Sequence, residues 1–135
     1  MIVVDTNVIA ALLLPTSGHT AAAVALLERD RDWAAPVLWR SEFGNILATA
    51  VRNRWLTESQ ATEALGSAEE LMEGGEFGVP TAEVLRTAIG SGCTAYDCEF
   101  VVLARDLGVE LITLDQALLK AFPQVARQLG SGAAT

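Results

Sequence analysis

Two carboxylates stand directly behind short apolar runs. Ile2-Val3-Val4 ends at Asp5, and Leu111-Ile112-Thr113-Leu114 ends at Asp115; each acid then opens a helical pattern. Aspartate is a favoured helix N-cap, which explains either one taken singly. In open α/β sheets, however, the carboxyl ends of strands are where sites form. A third acid, Glu42, lies in an otherwise apolar helical stretch, beside a stripe of Phe43, Ile46, Leu47, Ala50 and Val51, with Asn45 three residues on and on the same face. The fourth is Asp97 in Thr94-Ala95-Tyr96-Asp97, which also fits a capping box. The four together are harder to explain by structure alone, because carboxylates converge only against like-charge repulsion. Cations relieve that cost, and an all-oxygen donor set suits Mg²⁺ or Mn²⁺. Two such ions about 4 Å apart can activate a water and stabilise the leaving oxygen in phosphodiester hydrolysis. No serine–histidine or reactive-cysteine pair competes. His19 is the only histidine, and Cys93 and Cys98 match no zinc spacing and read as reduced structural thiols.

The elements that must position these acids follow from the hydrophobic pattern. Met1–Val4 is expected as a buried strand, and Val8–Leu14 as a helix stopping at Pro15. Ser17-Gly18 opens a second helix, and Trp33-Ala34-Ala35 reads as a short strand. Pro36 suits the first turn of a third helix running to about Arg54. Residues 57–73 form an acidic helix, started by Thr57 or Ser59 and ended by Gly74-Gly75. Phe77–Val79 is a candidate strand, and Pro80 or Thr81 starts a helix ending near Gly90-Ser91-Gly92. In Thr94–Leu107 the residues Tyr96, Phe100, Leu103 and Leu107 form a helical stripe closed by Gly108. Strand 111–114 and a helix to Ala121 complete a domain of residues 1–122, leaving 123–135 as a C-terminal extension whose last part, Ser131–Thr135, reads as a mobile tail. Helices alternating with short apolar strands indicate an α/β fold with a mainly parallel sheet.

The length of 135 residues fits one domain, and a hydrophobic share of 51% excludes disorder over the whole chain. No apolar run approaches the ~20 residues that span a bilayer. The run Val8–Leu14 is short and follows Asp5 and Asn7 rather than basic residues, so a cytoplasmic location is expected. The net charge of −8 argues against a nucleic-acid binder until its distribution is considered. Residues 57–83 hold seven glutamates and no Lys or Arg, so the rest of the chain nets −1, and four of its ten acids belong to the candidate site. With those neutralised by cations the remaining surface is mildly basic. RNA is then expected away from the acidic segment, near Arg40, Arg52 and Arg54. An apolar excess in 18–29 and 36–54 marks a surface for a protein partner.

The ordered segments Val4-Asp5-Thr6-Asn7, Ser41-Glu42-Phe43-Gly44-Asn45-Ile46-Leu47, Thr94-Ala95-Tyr96-Asp97 and Ile112-Thr113-Leu114-Asp115 resemble the acidic motifs of PIN domains. The match runs from residue 2 to about 122, and the size is similar to toxin ribonucleases of the VapC type. The resemblance implies a three-layer α/β/α fold around about five short, mainly parallel strands. It also implies endonucleolytic RNA cleavage with Mg²⁺ or Mn²⁺, a homodimer, and a cognate antitoxin that blocks the site. Carried over, Asp5, Glu42, Asp97 and Asp115 are metal ligands, directly or through water. Thr6 and Thr113 position carboxylates or water, and Asn45 orients the glutamate. Other readings fit less well. A phosphoacceptor receiver domain needs a lysine at the end of a late strand, and the one lysine, Lys120, lies in the last helix. A haloacid-dehalogenase-type phosphatase needs an aspartate where Asn7 stands. An RNA-processing PIN nuclease without an antitoxin, or a non-catalytic PIN binding module, remains as the alternative.

Overall fold

The computed structural model describes residues 1–15 and 17–131. Among them are five strands, β1 (Ile2–Val4), β2 (Trp33–Pro36), β3 (Glu76–Phe77), β4 (Leu111–Thr113) and β5 (Ala126–Gln128). The helices are α1 (Thr6–Leu13), α2 (Thr20–Arg29), α3 (Trp39–Arg52), α4 (Glu58–Leu71), α5 (Thr81–Ser91), α6 (Ala95–Leu107) and α7 (Gln116–Ala121). The strands form one sheet in the order β3-β2-β1-β4-β5, and every neighbouring pair is parallel. Such a sheet is covered on both faces, so its three central strands, β1, β2 and β4, are mostly apolar rather than alternating. Val3, Val4, Trp33, Ala34, Ala35 and Leu111 are accordingly buried.

Strand order decides where the helices go. From β1 to β2 to β3 the chain steps in one direction along the sheet, whereas from β3 to β4 to β5 it steps in the other. Parallel crossovers are right-handed, so opposite steps place helices on opposite faces. One face carries α1, which packs against α2, α3 and α4; the other carries the α5–α6 pair, with α6 lying across β1, β2 and β4. The direction reverses between β1 and β4, and an α/β sheet opens a crevice at that point, beyond its carboxyl ends. The core holds the two faces together. Phe43, Trp39 and Phe100 are fully buried, each contributing about 1.5–3 kcal/mol through lost apolar exposure.

Several local expectations shift. Pro36 ends β2 instead of opening a helix. Ala35 and Val37, on either side of it, donate their N–H groups to the carbonyls of Gly75, just before β3, and Phe77, on β3. Side alternation along a strand turns the position of the missing Pro36 N–H away from β3, so the ladder is not interrupted. The second helix begins at Thr20, whose hydroxyl donates to the Ala11 carbonyl at 2.8 Å. Strand β3 falls at 76–77 because that is where the chain pairs with Ala35 and Pro36. The stretch read as an extension contains β5, which pairs Ala126 with Leu111 and Gln128 with Thr113, and it ends on the buried Leu129. The domain therefore runs past residue 122. Of the expected tail, Ser131 closes a turn through its hydroxyl on the Gln128 carbonyl, and residues 132–135 lie outside those described. Tyr96 does not join the α6 core stripe. It lies in the first turn and is exposed.

Candidate active site

Asp5 is the N-cap of α1 and accepts the Thr6 N–H at 2.8 Å. Its other oxygen accepts the Thr113 hydroxyl at 2.8 Å and the Asn7 side-chain amide at 3.3 Å. Thr113, fully buried at the end of β4, also accepts the Asp115 N–H at 2.9 Å. The Asn7 side-chain Oδ1 accepts the Leu114 N–H at 3.2 Å. Two short polar side chains thus stitch the carboxyl ends of β1 and β4 together, at the reversal in strand order, and fix both aspartates. Asp115 uses one oxygen to cap α7, accepting Ala117 N–H at 2.8 Å and Leu118 N–H at 3.4 Å. Its second oxygen has no protein partner among the described residues.

Glu42 and Asp97 arrive from the flanking layers. Glu42, half-buried in the first turn of α3, accepts the Thr6 hydroxyl at 2.7 Å, so one residue beside Asp5 orients the acid of α3. Asp97 lies in the first turn of α6, which Thr94 caps by accepting the Asp97 N–H at 3.1 Å. No return bond from the Asp97 carboxylate to the Thr94 N–H occurs among the described residues, so only half of the capping box forms and the carboxylate stays available to the site.

The electrostatics link these acids. Burial pushes the Asp5 carboxyl up to about 6; the Thr113 and Thr6 hydrogen bonds pull it down, and the charges of Glu42 and Asp97 push it further up. Glu42 is raised chiefly by burial, against the Thr6 hydrogen bond, with added repulsion from Asp97 and Glu99. Asp97 is raised by burial and then by the charge of Asp115. No ion pair among the described residues includes any of these acids. Among the described residues, no three Asp, Glu, His or Cys side chains are grouped closely enough to grip one ion. The donor chemistry fits a hard cation, because every functional atom is a carboxylate or hydroxyl oxygen and no counter-charge is built in.

The other expected residues divide. Thr6 donates its hydroxyl to Glu42, and Thr113 donates its hydroxyl to Asp5. Asn45 is exposed and makes no described hydrogen bond to Glu42, whose orientation comes from Thr6. Arg40 is not on the far side from the acidic segment. Its guanidinium forks onto Glu76 at 2.8 and 2.6 Å, reaches Glu69 at 2.6 Å, and stacks over the Trp39 ring. Arg52 and Arg54 are exposed, and neither takes part in an ion pair among the described residues. Two residues escaped the sequence pattern. Asn7 stands in the first acidic motif without a role assigned to its side chain, although its spacing of two from Asp5 allows the observed side-chain bond. Glu99, half-buried and raised by burial, acts on Glu42; nothing in its local sequence distinguishes it.

Compared with known families, the chain matches the PIN domain over residues 2–126. The chain belongs to the PIN-domain family. Among similar proteins, Ribonuclease VapC3 of Pyrobaculum aerophilum is 32% identical over 130 residues, covering 90% of this PIN domain and 95% of the relative. The crystal structure of PAE2754 from Pyrobaculum aerophilum superposes with a TM-score of 0.74 at 25% identity, covering 94% of this chain and 82% of that one. FitAcB from Neisseria gonorrhoeae shares the fold, with a TM-score of 0.66 at 20% identity over 93% of this chain and 96% of that one. Membership also disposes of the receiver reading on geometry. Lys120 lies exposed in the last turn of α7, not at the end of a strand. No described helix of this PIN domain is long and apolar enough to cross a membrane.

Proposed function

We propose that this PIN domain is a Mg²⁺- or Mn²⁺-dependent endoribonuclease, acting as the cytoplasmic toxin of a type II toxin–antitoxin pair. The observation that carries the reading is the set Asp5, Glu42, Asp97 and Asp115 around the reversal between β1 and β4, with no ion-pair partner among the described residues. The similarity to Ribonuclease VapC3 supports RNA as the substrate class and a VapC-type role. The four acids would hold the cation directly or through water. When bound, it supplies activation of a water and stabilisation of charge developing on the phosphodiester. The chain's own contribution is positioning. Thr113 and the Thr6 N–H hold Asp5, the Thr6 hydroxyl holds Glu42, and the Thr113 hydroxyl takes the Asp115 N–H, so three acids are oriented before substrate arrives. Burial of Asp5 strengthens each charge interaction around it.

Partners follow from the same surface. Arg52 and Arg54 remain for RNA, whereas Arg40 is taken up by Glu69 and Glu76. An antitoxin would offer Arg or Lys to the carboxylates, since a cation is the simplest compensation for their charge. The large apolar side chains at the surface include Leu85 and Ile89 on α5 and Tyr96 beside Asp97, in addition to Val24 and Trp55. The surface for a second copy or an antitoxin therefore extends beyond the segments 18–29 and 36–54.

The test is cleavage of a structured RNA with Mg²⁺ or Mn²⁺ and with excess chelator. Cleavage confined to the metal-containing reactions is expected, and Glu42→Gln should lower it roughly 10- to 100-fold or more. Cleavage unchanged by chelator would sink the metal mechanism. A small upstream reading frame encoding a DNA-binding antitoxin separates a toxin from the alternative, an RNA-processing nuclease without one.

A further inference from the structure

Cys93 and Cys98 take no part in the acid site, and the fold places them together. Thr94 caps α6, so Cys93 is the residue before the cap and Cys98 the fourth residue of the helix. These two positions pack against each other at many helix starts, where an apolar pair fixes the entry angle of the chain. Here both are sulfurs. Ser91 marks their proximity, because its hydroxyl oxygen accepts the Cys93 N–H at 3.1 Å and stands 3.8 Å from Cys98 Sγ. Both are free thiols, Cys98 fully buried and Cys93 half-exposed. Cys93 is therefore partly open to solvent, whereas Cys98 is screened from it.

We propose that Cys93 and Cys98 are a modification site that closes as an intrachain disulfide and clamps the first turn of α6, the turn that carries Asp97. The oxidant is a low-molecular-weight disulfide. The Cys93 thiolate attacks one of its sulfurs, forming a mixed disulfide and releasing one small thiolate. The Cys98 thiolate then attacks Cys93 Sγ, forming the Cys93–Cys98 bond and releasing the second small thiolate. The protein loses two electrons and two thiol protons; the oxidant gains two electrons, and its two thiolates take up the protons. Attack by one thiolate and displacement by another is the ordinary course of thiol–disulfide exchange. The pair brackets a capped turn that is already formed, with Ser91 against both residues. Neither sulfur is used by the acid site, so the inference stands apart from the proposed activity.

The experiment incubates the reduced full chain with oxidised glutathione at mildly alkaline pH. It then counts free thiols by alkylation in denaturant and measures the intact mass. The expected product is a single chain without free thiols, lighter by two hydrogens. It should melt at least ~3 °C above the reduced protein, because a cross-link restricts the unfolded chain. Dithiothreitol should return both values. Cys98→Ser should stop at a glutathione adduct on Cys93, and Cys93→Ser should keep its buried thiol free. A stable adduct on wild type, a Cys93 link between two copies, two thiols still open to alkylation, or a bond with no change in melting would each overturn the clamp.

Discussion

Asp5 is buried, receives two strong hydrogen bonds, and still holds its proton up to about 6 from an ordinary 3.8. Burial outweighs the hydrogen bonds because desolvation penalises the charged form directly, and Glu42 and Asp97 add like charge. The sign for stability is the reverse of a salt-bridged carboxylate. Between about 3.8 and 6 the folded chain binds more protons at Asp5 than the unfolded chain does. This contribution is therefore full below the lower value and lost as pH rises through the higher one. A two-unit shift corresponds to at most ~3 kcal/mol. In metal-free buffer, wild type is expected to lose stability relative to Asp5→Asn as pH rises across that window; parallel profiles for the two proteins would contradict it. The comparison isolates Asp5, since Glu76, held low mainly by Arg40, works with the opposite sign. At the other helix start, Thr94 caps through the Asp97 backbone, which Asn at 97 retains. Thr94→Ala should cost about 1 kcal/mol. Asp97→Asn should leave the metal-free protein as stable as wild type or more so, most clearly at low salt, because repulsion is relieved without loss of the cap. A lower melting temperature for Asp97→Asn in chelator would show that the carboxylate serves the helix rather than the site.

The element with least room for change is the turn from α4 into β3. Gly75 is buried, donates its N–H to the Met72 carbonyl and accepts the Ala35 N–H, both at 2.9 Å. A Cβ there would collide with the Trp33 carbonyl oxygen, which is backbone and cannot rotate away. Its neighbour Gly74 faces open space but sits at φ +77°. The two glycines are thus required for different reasons, close approach in one and left-handed backbone in the other. Gly75→Ala is expected to cost on the order of 3 kcal/mol, since β3 must move off β2. Gly74→Ala should cost only about 1–2 kcal/mol. Denaturant titration of both variants measures the difference; equal losses would mean that β3 does not depend on this approach.

Across the molecule, negative charge is gathered in two places. The acidic segment 57–83 is partly answered by Arg40, which ties α3 to Glu69 on α4 and Glu76 on β3. The second place, the acid site, has no such answer among the described residues. A cation that binds there should therefore stabilise the whole fold by mass action. For Mn²⁺ at about 100 times its dissociation constant the gain is ~2.7 kcal/mol. Wild type is expected to show that shift in thermal melting and Asp97→Asn much less. Equal shifts in both proteins would point to general screening of a chain of net charge −8 instead of a site.

Much of this protein is decided within a few residues of each position. Apolar runs before Asp5 and Asp115, the Thr57 and Thr94 caps, and the breaks at Gly74 and Gly108 are local signals, and they were enough to order the elements and single out the four acids. The resemblance of the four acidic motifs then supplied the family. Other features arise only between distant segments. Strand β5 carries an ordinary-looking Ala-Arg-Gln and is a strand because β4 presents an unpaired edge to it. Pro36 looks like a helix start and is a strand residue because β3 pairs on the side that does not need its N–H. Arg40 looks available for RNA until Glu69 and Glu76, 29 and 36 residues away, close on it. Asn7 and Glu99 join the site through Leu114 and Glu42, partners that no periodicity reports. The physical reason is common to all of these cases. Helical and strand periods record which side of a segment is buried, whereas ladder pairing, ion pairing and the sharing of one desolvated space by several carboxylates depend on which segments the tertiary fold brings together.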